Sequence, residues 1–191
     1  MRTKVSATAE AAEAPAPRAR RRVPAEAPAK GIDQDQPFDL YQTPGHLIRR
    51  LHQIVVSLCY EGWGALAISP VQYGALMAIR AFPGIDQRGL SRAIAIDRST
   101  IGTVGEQLER RGLIERRTGT RDKRNKELFL TEKGAQVLRR AHPIAWEIQD
   151  RVLAPLAPKE RREFVRLLAK LVERNNTLSR APLGPTGFEA D

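Results

Sequence analysis

The chain has one cysteine, Cys59, among its 191 residues. A single thiol closes no internal disulfide, so a disulfide-stapled scaffold is excluded. A zinc finger is excluded with it, because such sites draw on several Cys and His ligands. Histidines number three, His46, His52 and His142. His46 and His52 stand six positions apart, not at the i, i+4 spacing that places two ligands on one helix face. No metal site is expected. No apolar run reaches about 18 residues, so no membrane-spanning helix is expected either. Also missing are a nucleophile elbow, a phosphate-binding loop, a metal-ligating motif and a spaced carboxylate pair. The chain reads as a non-enzyme without a cofactor.

What is abundant is positive charge. Lys and Arg total 32 against 22 Asp and Glu, a formal net charge of +10. Its placement matters more than its size. Residues 1–37 hold ten alanines, five prolines and no aromatic residue, too little to build a core. They carry seven basic and five acidic side chains, a net +2. Two readings of this arm stand: a solvated tail, or a basic arm that touches DNA phosphates or the minor groove. Residues 181–191 read as a frayed tail. Residues 88–126 hold eleven basic and five acidic side chains, a net +6. Residues 110–126 alone hold eight and two, again +6. The electrostatic footprint is one short segment.

Apolar spacing and capping residues predict the elements. Thr43-Pro44 caps and opens a helix to about Tyr60, with Leu47, Leu51, Ile54 and Leu58 at helical spacing and Gly62 and Gly64 ending it. Ser69-Pro70 opens a second helix with Leu76 and Ile79 inward, broken by Phe82-Pro83-Gly84. Asp86 caps a short third helix through Leu90 and Ala93. Asp97 caps a fourth with Ile101, Val104 and Leu108 on one face, stopped by Gly112. A hairpin follows: a strand to Arg117, a polar loop over 118–126, and a partner strand at Glu127–Leu130. Thr131 caps a long helix carrying Leu138, Ile144, Ile148 and Val152, which Pro143 is expected to kink. Pro158 opens a last helix whose Phe164, Leu167, Leu168, Leu171 and Val172 form the stripe of a buried face.

The order short helix, turn, helix, charged hairpin is that of a helix-turn-helix followed by a β-wing. The second helix of such a unit enters the major groove, N-terminal end first. With Ile101, Val104 and Leu108 inward, the opposite side presents Arg98, Ser99, Thr100, Thr103 and Gln107. Ser and Thr serve base edges or phosphates, and Arg takes guanine O6 and N7 together. Gly102 and Gly105 remove bulk from this helix. Gly105 has two readings, close approach to DNA or close helix packing. The hairpin tip, Arg121-Asp122-Lys123-Arg124, suits a narrow minor groove, whose enhanced negative potential attracts Arg. Asp122 orients a neighbouring Arg by a charge-assisted bond.

At this point the sequence resembles the MarR family of bacterial winged-helix transcription regulators. The run Asp97-Arg98-Ser99-Thr100-Ile101 through Leu108-Glu109-Arg110-Arg111-Gly112-Leu113-Ile114-Glu115-Arg116 is similar to that family's recognition helix and first wing strand. Arg121-Asp122-Lys123-Arg124, then Leu128 and Leu130-Thr131-Glu132-Lys133-Gly134, is similar to its wing and the start of its fifth helix. The resemblance spans about Phe38 to Arg180. It implies a mostly α fold with a small β-hairpin: a winged helix-turn-helix over 66–135, and an α-helical dimerisation region from 38–65 and 136–180. It implies a homodimer on a pseudo-palindromic double-stranded operator, most often as a repressor of nearby genes. Arg98, Ser99, Thr100 and Thr103 would make the major-groove contacts, and Arg124 with Lys123 the minor-groove contact. The family commonly has Arg where Thr103 and Gln107 stand, a departure that leaves the fold reading alone and the operator sequence open. Location in a bacterial cytoplasm, with the nucleoid, follows as an expectation.

The resemblance also implies a small-molecule effector, an organic and possibly aromatic acid or its thioester, held between the dimerisation and DNA-binding parts. His46, Arg49 and His52 are candidates to hold a carboxylate, and Tyr60 and Trp63 to pack a ring. Cys59 lies about a helix-length beyond the position used by the family's peroxide sensors, and reads as a small core residue. The alternatives are an architectural DNA-binding protein without effector, and a metal- or redox-responsive regulator.

Overall fold

A computed structural model describes residues 39–119 and 126–184. Six helices and a three-stranded antiparallel sheet make up this region. Helix α1 spans Pro44–Trp63, α2 Pro70–Ala81, α3 Gln87–Ala93 and α4 Arg98–Arg110. Strands β2 (Ile114–Thr118) and β3 (Lys126–Leu130) form the hairpin, and the two-residue β1 (Ile85–Asp86) adds to the far side of β3. Helix α5 runs Glu132–Leu153 and α6 Pro158–Arg174.

Local chemistry sets these starts. The Thr43, Asp86, Asp97 and Thr131 side chains each accept a backbone N–H of the first turn they precede. Ser69 and Gln72 form a reciprocal capping box on α2. At α6 the cap position is Ala157, whose N–H donates to Glu160 Oε2 at 2.8 Å. Gly112 stops α4 in the left-handed region, at φ +67°.

Two expectations need correction, at the end of α1 and at the ends of the hairpin strands. Helix α1 does not end at Tyr60 but runs through Gly62 to Trp63. Gly62 works as a contact rather than a stop: a Cβ there would lie 2.7 Å from Ile144 Cγ2 and 3.3 Å from Ile148 Cδ1. Helix α5 carries Pro143 within its length. No residue of the α6 stripe is buried within the chain, and Leu167, Leu171 and Val172 lie open. The hairpin strands extend one residue further than expected, with Thr118 paired to Lys126 and its hydroxyl accepting from Lys126 Nζ at 2.9 Å.

Two apolar clusters hold the described region. One gathers Leu76, Ile79, Leu90, Ile101, Leu108, Leu113, Ile114, Leu128 and Leu138 beneath the helix-turn-helix and sheet. The other joins Cys59, Trp63, Leu66 and Ile68 to Ala141 and Ile148 of α5. Tyr73 and Val137 pack against both. The start of α5 is locked to the end of α4. Thr131 Oγ1 donates to Gly112 O at 2.7 Å, Lys133 Nζ donates to Arg111 O at 2.8 Å, and a Cβ on Gly134 would fall 2.0 Å from Leu113 O.

Candidate nucleic-acid interface

Helix α4 is amphipathic as its spacing predicts. Ile101, Val104 and Leu108 are buried, while Arg98, Ser99 and Thr103 are exposed and Thr100 and Gln107 half-buried. The short polar side chains are already engaged with the cap. Ser99 Oγ donates to Asp97 Oδ1 at 2.5 Å, and Thr100 Oγ1 donates to Asp97 Oδ2 at 2.8 Å. Thr100 N–H also reaches Asp97 Oδ1, at 2.9 Å. Carboxylates only accept, so both hydroxyl protons point at Asp97 and the oxygen lone pairs face outward. The Ser99 hydroxyl, then the Thr100 N–H and hydroxyl, hold the Asp97 carboxyl well below the usual carboxylate range. Thr103 Oγ1 donates to Ser99 O at 3.3 Å.

Gln107 is tied to α2: its Oε1 accepts from Gln72 Nε2 at 2.8 Å. Gly105 proves to be a packing position. A Cβ there would lie 3.1 Å from Arg116 Nη2, whereas one on Gly102 would meet nothing within 4 Å. Arg116 Nε lies 3.1 Å from Glu109 Oε2, an ion pair that fastens β2 to α4. Next to it Arg117 stacks its guanidinium 4.4 Å from the Phe129 ring centroid and pairs with Glu115. Arg121, Lys123 and Arg124, the expected minor-groove contacts, lie outside the described residues.

Residues that spacing alone did not single out fix the frame of this surface. Arg111, the cap residue of α4, donates to Ala67 O at 2.5 Å and Leu66 O at 2.9 Å. It thereby joins the end of the recognition helix to the turn after α1. Only the Ser69-x-x-Gln72 pattern carried a sequence signal here, and it spoke of a capping box, not of Gln107.

The effector candidates fall in two separate places. His46 and Arg49 sit in the first turns of α1, with Arg49 Nη2 3.5 Å from His46 Nδ1. His52 is exposed, and Tyr60 is 59% exposed. Trp63 is 4% exposed: it stacks on Tyr73 with centroids 4.6 Å apart, and its N–H donates to Ala141 O at 3.1 Å. Seventeen residues of helix, about 25 Å at 1.5 Å per residue, separate His46 from Trp63. One small molecule cannot touch both within one chain. The sequence reading passed over His142 and Trp146 at this end of the molecule. Trp146 Nε1 donates to His142 Nε2 at 3.3 Å, and His142 Nδ1 lies 3.1 Å from the Tyr73 hydroxyl. The signal was there in their i, i+4 spacing on α5.

Among the described residues no single helix is long and apolar enough to cross a membrane. Residues 68–126, from just before α2 to the first residue of β3, match the MarR family. The chain is 35% identical to the PcaV transcriptional regulator of Streptomyces coelicolor, solved in complex with its natural ligand, covering 72% of this chain and 97% of that one at a TM-score of 0.65. It is 28% identical to Bordetella bronchiseptica BpsR, whose DNA binding is regulated by 6-hydroxynicotinic acid, covering 71% and 97% at a TM-score of 0.68. It is 27% identical to the transcriptional repressor CouR, solved on a 23-mer DNA duplex, covering 70% and 94% at a TM-score of 0.65. With this helix-turn-helix, this hairpin and these relatives, the chain belongs to the MarR family.

Proposed function

We propose that the protein is a sequence-specific transcriptional repressor that binds a pseudo-palindromic operator as a homodimer and releases it on binding a small aromatic acid. The observation that carries this reading is α4 itself. Its apolar side is fully used in the core, and its polar side, led by Arg98 at the N-terminus, is turned outward on a segment holding +6 of the chain's charge. The CouR complex with duplex DNA supports the partner, and the effect of 6-hydroxynicotinic acid on BpsR supports the effector class. In this reading α4 lies in the major groove with Arg98, Ser99, Thr100, Thr103 and Gln107. Arg121, Lys123 and Arg124 flank the minor groove. The uncovered stripe of α6 is closed by a second copy, together with α1 and the end of α5. The protein performs no chemistry of its own and acts in the cytoplasm.

The effector's carboxylate is assigned to Arg49 with His46, which already lie together. Trp63, an expected ring-packing residue, is already covered: its ring stacks on Tyr73 with centroids 4.6 Å apart, and its N–H is taken by Ala141 O.

Two classes of substitution test the DNA reading. Arg124→Ala weakens binding on every sequence and reduces the salt slope by about 1, as loss of a phosphate or groove-potential contact does. Arg98→Ala or Thr103→Ala relaxes the preference at particular base pairs. Unchanged operator affinity at matched salt in both classes contradicts the reading. A mobility-shift titration with 6-hydroxynicotinate and hydroxybenzoates tests the effector. Release by at least one is expected, with loss of that response in Arg49→Ala. No response to any of them contradicts the effector class.

A further inference from the structure

The contact between Gln72 and Gln107 fixes which half of the Gln107 amide is left for another molecule. Gln72 is 8% exposed. Its side chain accepts the Ser69 N–H at 3.1 Å, while Ser69 Oγ accepts the Gln72 N–H at 3.2 Å. A backbone N–H can only donate, so the atom of Gln72 that faces it is Oε1. Gln72 Nε2 is therefore the atom turned toward α4, 2.8 Å from the Gln107 amide. An NH₂ group can only donate in turn, so Gln107 turns its Oε1 inward. Its own NH₂ occupies the other branch of the amide, on a helix face shared with Thr103 one turn earlier. The orientation follows from the backbone through two amides, with no freedom to flip at either.

We infer that Gln72 is a positioning residue for operator specificity: it presets Gln107 as a pure hydrogen-bond donor toward the major groove. This rests on the reading that α4 enters that groove. A glutamine that reads adenine sets its O and NH₂ side by side on N6 and N7. Gln107 cannot offer that pair, because its oxygen is held against α2. A donor alone matches acceptors, guanine O6 and N7, thymine O4 or adenine N7, and finds none on cytosine, whose edge carries only the N4 amine. The Ser99 and Thr100 hydroxyls, with their protons committed to Asp97, present acceptors instead. Arg98 and Gln107 are then the donors of this face, one at the start of α4 and one in its third turn.

The test is selection of binding sites from a randomised duplex library by the full chain, its Gln72→Glu variant and its Gln107→Ala variant, each checked for folding by circular dichroism. In Gln72→Glu one carboxylate oxygen keeps the Ser69 N–H and the other becomes an acceptor. Gln107 must then swing its NH₂ inward and its oxygen outward. The wild type is expected to reject cytosine at one position per half-site, and Gln107→Ala to lose roughly tenfold discrimination there. Gln72→Glu is expected to shift that same position to cytosine, whose N4 amine donates, leaving the other positions alone. A Gln72→Glu site identical to wild type, at equal or uniformly lower affinity, overturns the inference. So does a change confined to other positions. A wild type that selects no sequence overturns the DNA-binding reading itself. If Gln72→Glu does not fold, Gln107→Glu imposes the same outward acceptor, and the same shift to cytosine is required of it.

Discussion

Glycine 102 and glycine 105 stand three positions apart on the same helix and answer different demands. A side chain at Gly105 would press on the Arg116 guanidinium, whereas Gly102 faces open space. Gly102→Ala should therefore raise stability by about 1 kcal/mol through helix propensity, read as a higher melting temperature. It should at the same time weaken operator binding, since the sequence reading assigns the missing bulk to close approach by DNA. Asp97 adds a pH signature. Its carboxyl titrates below its ordinary value near 3.8 when the chain is folded. A depressed folded value means its contribution is present above that ordinary value and lost as pH falls below it. Asp97→Asn keeps a cap and removes the titration, so melting temperature below about pH 4 should fall less steeply in the variant. Burial pushes the Cys59 thiol up, keeping it protonated, and Cys59 is 4% exposed. It should react with a thiol reagent only when the chain unfolds. Rapid native-state labelling would revive the redox alternative.

At the level of elements, the helix starts were legible because each rests on a cap within three or four residues of the groups it serves. Thr43, Ser69, Asp86, Asp97 and Thr131 all act where local chemistry places them. The end of α1 was misread because Gly62 looks like a stop until Ile144 and Ile148 arrive from α5, more than eighty positions later. The two-residue β1 has too little sequence to show a period. The Gln72–Gln107 and Arg111–Leu66 bonds span 35 and 45 positions, and no local pattern encodes such pairs. The same long-range fit gives a graded prediction. Gly62→Ala meets the Cγ2 branch methyl of Ile144 and the Cδ1 end of Ile148, side chains that can shift, so an overpacking cost of about 1–3 kcal/mol is partly offset by helix propensity. Gly134→Ala meets the backbone carbonyl of Leu113, which has no side-chain freedom to yield. Its melting temperature should fall further than that of Gly62→Ala.

For the whole molecule, the charge pattern and the apolar pattern pointed to the two halves of the function. The +6 segment maps to α4 and the hairpin, and the third apolar stripe maps to an α6 that buries nothing within its own chain. That last point has its sequence counterpart in three helices with apolar stripes, over 47–58, 138–152 and 164–172. A Leu167→Asp, Leu171→Asp double variant should sediment as a monomer and lose operator binding with it. Removal of residues 1–37 should leave the dimer intact. The effector site was the least legible part, because its candidates were gathered by residue type and lie at opposite ends of α1.

The central claim is that this surface reads a defined DNA sequence twice per dimer. Footprinting of the purified full chain on DNA upstream of its own gene and of the neighbouring genes tests it most directly. The account predicts a protected pseudo-palindrome with half-site centres about 34–36 Å apart, one helical turn, each engaged by one α4. Protection that spreads over the fragment without preference, and equal affinity for an unrelated duplex at the same salt, would contradict it.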